Sequence, residues 1–581
     1  MRPQLRQPLQ AGALGLLGIT LAAAPGWSQT PATGLPASSF PVPIEQPRPP
    51  QPQRPQPQPQ PSPLRVTPTP ALPGQPATPS GGATMLVRQF RFSGNTVFSN
   101  AELGRITASY LNRPVNFAEL GKARDAISQL YIDKGYTTSG AYIPQQTSRD
   151  GVVEIRILEG RLGQVTVEMT GRLHKNYVRS RLLRAAKGPL NVPRLLEALR
   201  LLQANSLIKT ITANLSASPE PGVSNLQVKV LSKPSFRAAV AMDNGRNPQP
   251  GSFRRGVDLG EANLSGFGDD LSLTYRNSDG SNDLQLSYQL PVNSSDLTLT
   301  AIHRDLYSWV IEEPLSVLNI SSHYQQWFVG LRQPILRRLD QELALGLSLN
   351  KQDNKGLYLQ GFPYPGRGVD ENGESRVATL SFSQDWLRRS NSDVVAIRSE
   401  FAFGLKGIDT TIPYDYGIDP NSPEPNFLLW RGDGQYVRQL AKDTLLIARG
   451  RVQVTNDPLP AVEQFGLGGL GSVQGYQTNS LLTDSGLFGS IELAVPVLRW
   501  QRGGGIVQLV PFAAFGSGWD AGPAPQPKVN FLSSIGLGVQ LRLGEGFFGR
   551  IDYAQRLGET PYLQSDAWQD QALLFTLRYA P

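Results

Sequence analysis

From Phe236 to the C-terminus, apolar and polar residues alternate in short runs separated by turn residues. Leu284, Leu286, Tyr288 and Leu290 fall on one face of an extended segment, and Gln285, Ser287 and Gln289 fall on the other. Leu343, Leu345, Leu347 and Leu349 repeat the device against Ala344, Gly346, Ser348 and Asn350. Ile535, Leu537, Val539, Leu541 and Leu543 do so against Gly536, Gly538, Gln540 and Arg542. A strand of this kind faces hydrocarbon on one side and water on the other. Only a closed barrel pairs all of a sheet's backbone groups inside a bilayer, so the pattern predicts an all-β transmembrane barrel of antiparallel strands over 234–581. About sixteen strands are expected, centred near residues 239, 258, 273, 286, 299, 328, 346, 379, 397, 431, 448, 491, 510, 537, 550 and 575. The last strand sends Leu573, Phe575, Leu577 and Tyr579 outward, an aromatic-ended closure that runs on to Ala580 and Pro581.

The preceding half has a different grammar. Arg2 and Arg6 stand before an apolar run from Ala11 to Ala24, the layout of an export signal, expected over 1–28 with cleavage near Ser28. A Pro/Gln tract follows, expected as a disordered, solvated spacer over 29–83, because proline lacks a backbone donor and favours extended conformations. Two α+β modules are then expected, over 84–160 and 161–233. In the first, a strand at Val87–Phe92 leads to a helix opened by Ser99 with Glu102. A second helix begins at Asn116 with Glu119, and Gly135 ends it. Strands near Ala141–Pro144 and Val152–Leu158 complete a β-α-α-β-β order. The order recurs with a strand at Gln164–Met169, helices near Asn176–Ala186 and Val192–Ala204, and strands near Ile208–Leu215 and Leu226–Leu231.

Composition changes this picture little. The 581 residues have a mean hydropathy of −0.26 and 39% hydrophobic residues, values that a barrel with a polar lumen shares with soluble proteins. A net charge of +8 lacks the clustered Lys/Arg and interleaved aromatics of a nucleic-acid surface, so no nucleic-acid partner is expected. With no cysteine there is neither a disulfide framework nor a thiolate metal site. His174, His303 and His323 lack metal-ligand spacing, and neither a serine elbow nor a phosphate loop is present, so no catalytic residue, metal or cofactor is expected.

The longest interruption in the C-terminal half runs from about 456 to 485. It contains Gln464-Phe465-Gly466-Leu467-Gly468-Gly469-Leu470-Gly471-Ser472-Val473-Gln474-Gly475-Tyr476. Gly466, Gly468 and Gly471 also satisfy a G-x-G-x-x-G spacing, but no βαβ unit surrounds them, so they are read as glycines that let a loop fold tightly. Together with two exported modules joined to a barrel, this segment resembles the inward-folded loop of the two-partner secretion transporters (the TpsB, or hemolysin secretion/activation, family). That family lies within the wider superfamily that joins polypeptide-transport-associated (POTRA) domains to a barrel. In that family the loop tip reads Val-Arg-Gly-Tyr, and its arginine is expected to meet the aspartate of a Phe-x-Asp motif on the inner wall. Here the tip is Val473-Gln474-Gly475-Tyr476, and the wall motif is Phe512-Ala513-Ala514, with Ala514 in the aspartate position. Both charges are absent together. Removing one member of a buried ion pair costs about 3–5 kcal/mol whereas replacing both is often neutral, so joint absence reads as a rebuilt lock.

By parity, Arg449, Arg451, Glu492, Arg542, Arg550, Asp552 and Arg578 are candidate lumen-lining residues, a mixed-charge wall past which a hydrated chain could slide. The resemblance implies an outer-membrane protein translocase, acting as a monomer in the lipid bilayer with its POTRA domains in the periplasm. Its partner would be a secreted exoprotein, large and β-helical in the family, captured unfolded through the POTRA domains by strand addition to a sheet edge. A barrel insertase and a solute porin are the alternative readings.

Overall fold

The computed structural model describes residues 63–66 and 84–581, apart from 147–149, 501–503, 524, 545 and 563–566. The expected export signal, and most of the Pro/Gln tract, lie outside the described residues.

The first described element lies within the tract expected as a disordered spacer. Leu64–Val66 is a strand (β1) that pairs in parallel with the second module's sheet, Arg65 opposite Asn214. Three residues of alternating apolar and basic character suffice because the sheet supplies the partners. The Ala213 amide donates to the Pro63 carbonyl at 2.7 Å.

The first module comprises β2 (Thr84–Val87), β3 (Gln89–Ser93), α1 (Asn100–Thr107), β4 (Arg113–Asn116), α2 (Phe117–Asp133), β5 (Gly140–Tyr142) and β6 (Val152–Leu158). Its three-stranded sheet has the order β3-β6-β5, and β2 and β4 add a separate antiparallel pair. Ser99 with Glu102 and Asn116 with Glu119 form capping boxes that fix where α1 and α2 begin. The core is Leu103, Leu120, Ile127, Tyr131, Val153 and Ile155. Glu159 ties the module together, accepting from the amides of Thr96 and Val97 and from the Tyr131 hydroxyl at 2.7 Å.

The second module repeats the order with β7 (Arg161–Thr170), α3 (Lys175–Ala185), α4 (Val192–Gln203), β8 (Ile208–Ala217) and β9 (Val223–Ser232), in a sheet of order β1-β8-β9-β7. The modules are joined end to end. Carbonyls at the C-terminus of α2 meet donors at the N-terminus of α4: Val192 N to Gly135 O at 3.0 Å and Asn191 Nδ2 to Lys134 O at 3.0 Å. Gly135, at φ +88°, is required here because a Cβ would stand 2.8 Å from Pro193.

The barrel runs through β10 (Phe236–Asp243), β11 (Arg254–Ala262), β12 (Asp270–Ser278), β13 (Ser281–Pro291), β14 (Thr298–Trp309), β15 (Ser321–Arg337), β16 (Gln341–Tyr358), β17 (Phe362–Pro363) and β18 (Glu374–Arg389). It continues with β19 (Asp393–Gly404), β20 (Leu428–Ala441) and β21 (Thr444–Thr455). A loop hairpin follows, β22 (Phe465–Leu467) and β23 (Leu481–Thr483). The wall resumes with β24 (Ser485–Trp500), β25 (Gly505–Trp519), β26 (Phe531–Leu543), β27 (Phe547–Arg556) and β28 (Leu573–Tyr579). β17 only extends the β16 hairpin, so sixteen full antiparallel strands close the wall, and each centre read from the sequence lies in one of them. Leu284, Leu286, Leu347, Leu349, Ile535, Leu537 and Val539 are exposed on the outer face, while Ser287, Ser534 and Gln540 are buried on the inner one. No described helix is long and apolar enough to cross a membrane. The seam between β10 and β28 is short, from Val240 opposite Tyr579 to Asp243 opposite Thr576. The Asn244 side chain prolongs it by donating to Leu573 O and accepting from Phe575 N.

The second module seats against the rim. His174 N donates to Gly266 O at 2.7 Å, and the Arg181 guanidinium lies 3.6 Å over the Tyr177 ring while its Nε donates to Asp296 at 2.9 Å.

Candidate functional site: the barrel lumen and its inward loop

The chain leaves the wall at Thr455 and rejoins it at Ser485. Between these points it folds back into the barrel, where Phe465, Leu467, Val473, Tyr476 and Leu481 are buried. The short β22/β23 hairpin gives the loop internal structure, with Phe465 opposite Thr483. Gly468 and Gly469 turn it at φ +103° and +88°. A Cβ on Gly468 would stand 2.2 Å from the Gln477 carbonyl, so the glycine run does serve close backbone approach.

The tip docks on β25–β27. Val473 and Tyr476 join Phe465, Leu467, Phe488, Ala514, Leu532 and Tyr562 in one apolar cluster, which places Ala514 of the wall motif against the loop. Tyr476 donates to Ser533 O at 3.3 Å. Phe512 also faces the lumen, its ring lying over Gly536. Gln474 is buried in the same region, yet its Oε1 has no hydrogen-bond partner among the described residues. The hydroxyls of Ser472 and Ser534 are likewise unbonded. Just beyond the tip, Gln477 donates to Asp570 Oδ2 at 2.9 Å and its amide to the Tyr562 hydroxyl. Thr478 bonds Gln569 and Gly245. The Tyr562 hydroxyl accepts the bond from the Gln477 amide, and burial pushes its pKa up to about 12.

The lumen candidates share the inner face. Arg449 and Arg451 stand opposite Ser490 and Phe488, Glu492 opposite Phe512, Arg542 opposite Phe548, and Asp552 and Arg550 opposite Leu574 and Thr576. The structure gathers four of them. Glu492 pairs with Arg449 and, at 2.7 Å, with Arg550, which also holds Asp552 at 2.8 Å. This buried network braces the wall. Arg451 is covered by the loop, its guanidinium 5.6 Å over Phe465 and 5.1 Å over Phe488. Arg542 lies 5.9 Å over Phe548. Arg578 is half-exposed, 4.0 Å from Asp258, apart from the network.

Two carboxylates that sequence reasoning missed hold the stem of the loop. Glu463, 3% exposed, pairs with Arg431 on β20, accepts from Gln352 on β16 at 2.6 Å, and offers its carbonyl to Gln453 on β21 at 2.9 Å. Asp484, fully buried, accepts from Leu459 N, Gln464 Nε2, Ala521 N and Arg367 Nη2, all at 3.0–3.1 Å. One signal was available in the letters. Asp457, Glu463 and Asp484 are the charged residues of 456–485, so the loop carries acids alone.

A sixteen-stranded barrel holding an inward loop, with two tethered modules, defines a polypeptide-transport barrel. Residues 222–541 match the family described as haemolysin secretion/activation protein ShlB/FhaC/HecB, and residues 85–160 match a ShlB-type POTRA domain. The chain is 22% identical over 399 residues to the heme/hemopexin transporter protein HuxB of Haemophilus influenzae, covering 66% of this chain and 67% of that one. It is 22% identical over 438 residues to the outer membrane transporter CdiB of Dickeya dadantii, covering 72% and 73%. Among solved structures, CdiB from Escherichia coli superposes with a TM-score of 0.67 at 20% identity, over 87% of this chain and 92% of that one. CdiB from Acinetobacter baumannii gives 0.60 at 16%, over 86% and 91%. The chain belongs to the haemolysin secretion/activation family, whose members are transporters. It is an outer-membrane transporter of two-partner secretion, with its POTRA domains in the periplasm.

Proposed function

We propose that this transporter captures its partner, a large β-helical exoprotein, while it is still unfolded, by strand addition to the edge of a module sheet, and then threads it through the lumen once the inward loop moves. The observation that carries this reading is β1. An extended segment of the chain itself already pairs with the edge of β8, and backbone pairing of that kind accepts many sequences. Self-pairing protects the edge until a client competes for it. Residues 1–28 serve as the export signal, and one chain suffices for one pore. Transport by threading asks for no catalytic residue, metal or cofactor.

The test is secretion of the partner by cells carrying Ala213→Pro. This removes the edge donor that bonds Pro63, while the bonds from β8 to β9 remain. Secretion should fall several-fold, and Thr212→Ala on the same strand should secrete normally. With the barrel equally assembled in both, the reverse ranking removes strand addition from the mechanism.

A further inference from the structure

The family's lock places a cation on the loop tip and an anion on the wall, and this chain has neither. The tip of this loop carries Gln474 with an unbonded Oε1, and the hydroxyls of Ser472 and Ser534 are unbonded too. Its hold on the wall is the apolar packing of Val473 and Tyr476 together with the Tyr476 hydrogen bond to Ser533 O. The ionic contacts lie at the other end of the loop. Where β22 begins, Glu463 is enclosed by three wall strands: Arg431 pairs with it from β20, Gln352 donates from β16, and Gln453 holds its carbonyl from β21. These partners are themselves fixed. Arg431 Nε donates to Gln453 Oε1 at 2.8 Å, and Tyr324 on β15 donates to Gln352 at 2.9 Å. Where β23 ends, Asp484 receives Arg367 from the β16–β18 loop and Ala521 N from the β25–β26 loop.

We propose that in this chain the inward loop is latched at its stem with reversed polarity, wall cation to loop anion, Arg431 to Glu463, with Asp484 and Arg367 securing the returning leg. The assignment deepens the translocation reading and rests on it. A buried carboxylate with a guanidinium and an amide around it is costly to leave half-paired, so each member of the latch is positioned by the other. Both legs are held by ion pairs where they join the wall, whereas the tip is held by packing and by the hydrogen bonds of Tyr476, Gln477 and Thr478. Release of the stem therefore removes the ionic anchors of the loop. Glu463 and Arg431 are positioning residues, acting on the passage through the loop they hold.

The experiment uses the full-length protein in planar bilayers, without client, alongside a single reporter Leu470→Cys in this cysteine-free chain. Glu463→Gln and Arg431→Gln should each raise the conducting fraction several-fold and speed maleimide labelling of the reporter. The exchange pair Arg431→Glu with Glu463→Arg should return both readouts toward the starting protein. Glu342→Gln, which breaks a wall pair with Arg332 at 2.7 Å away from the loop, should change neither. Assembly is checked by the heat-dependent gel mobility of the barrel. If Glu463→Gln does not assemble, Glu463→Asp, which keeps the charge but withdraws it by one methylene, carries the same expectation. The latch is overturned if the assembled single variants conduct and label like the starting protein, or if the exchange pair is as open as the singles. Secretion by the unaltered protein is measured separately. Its failure would sink the translocation reading, whereas a secreting protein whose stem variants stay closed would sink the latch alone.

Discussion

Gly475 stands at φ +93°, and a Cβ there would lie 2.7 Å from the carbonyl of Ala554 on the wall. Gly475→Ala therefore meets both backbone strain and a fixed backbone atom, and the tip must lift from β27 to accommodate it. The expected outcome is a barrel of normal assembly whose loop is cut faster by added protease, with about 1–3 kcal/mol lost from docking. Its neighbour Gln474 gives a reciprocal test of the rebuilt tip. Gln474→Arg alone places an unpaired cation in the apolar cluster, and adding Ala514→Asp should rescue conductance and secretion if the tip still reaches the wall motif. Independent effects of the two substitutions would show that side chains at 474 and 514 do not meet. The tip was legible because its letters align with a known motif and because parity turned Phe512 and Ala514 inward. Glu463 and Asp484 were not legible in that way. A lone carboxylate in a loop reads as a solvated one, and only the fold brings Arg431, Gln352 and Arg367 to them.

Glu159 closes the first module by linking the β3–α1 connection to α2. Burial alone would raise its carboxyl. Donations from Thr96, Val97 and Tyr131 outweigh burial and hold it below the usual carboxylate range. A depressed folded-state value contributes stability above the unfolded pKa of about 4.3, and that contribution is lost as pH falls through the folded value. The protection factors of the Thr96 and Val97 amides should therefore fall on acidification below about pH 4.3, and Glu159→Gln should show the lowered protection already at neutral pH. Protection that is flat with pH would assign the closure to packing alone. At this scale the sequence was most informative. Period-two alternation located every wall strand, and Ser99/Glu102 and Asn116/Glu119 marked both helix starts, since each signal is complete within a few residues. β1 escaped because its identity as a strand resides in β8, a sheet edge far along the chain, while its own neighbourhood is proline and glutamine. Arg65→Cys with Asn214→Cys, directly opposite in the parallel pair, would fix β1 in place by a disulfide unique in this chain. Secretion should drop on oxidation and return on reduction. An oxidised double variant that secretes normally would show that clients do not use the β8 edge.

At the scale of the whole molecule, the two modules and the barrel are joined by a continuous series of contacts. α2 abuts α4, α3 is pinned to the rim through Arg181 and Asp296, and the loop hangs from the wall between β21 and β24. On the translocation reading proposed above, direction comes from the partner's folding outside the barrel. A client that folds outside gains about 5–15 kcal/mol, which biases the emerged state over return by more than about a thousandfold. Secretion should then track the client's own folding. Variants of the exoprotein that fold slowly but remain soluble should accumulate as spanning intermediates, accessible to protease from both sides, and their release should slow in step with their refolding rate. Purified transporter in vesicles should move unfolded client without nucleotide. A release rate indifferent to client folding, or one that requires added ATP, would mean that the energy enters elsewhere and that folding beyond the barrel is a consequence of export and not its drive.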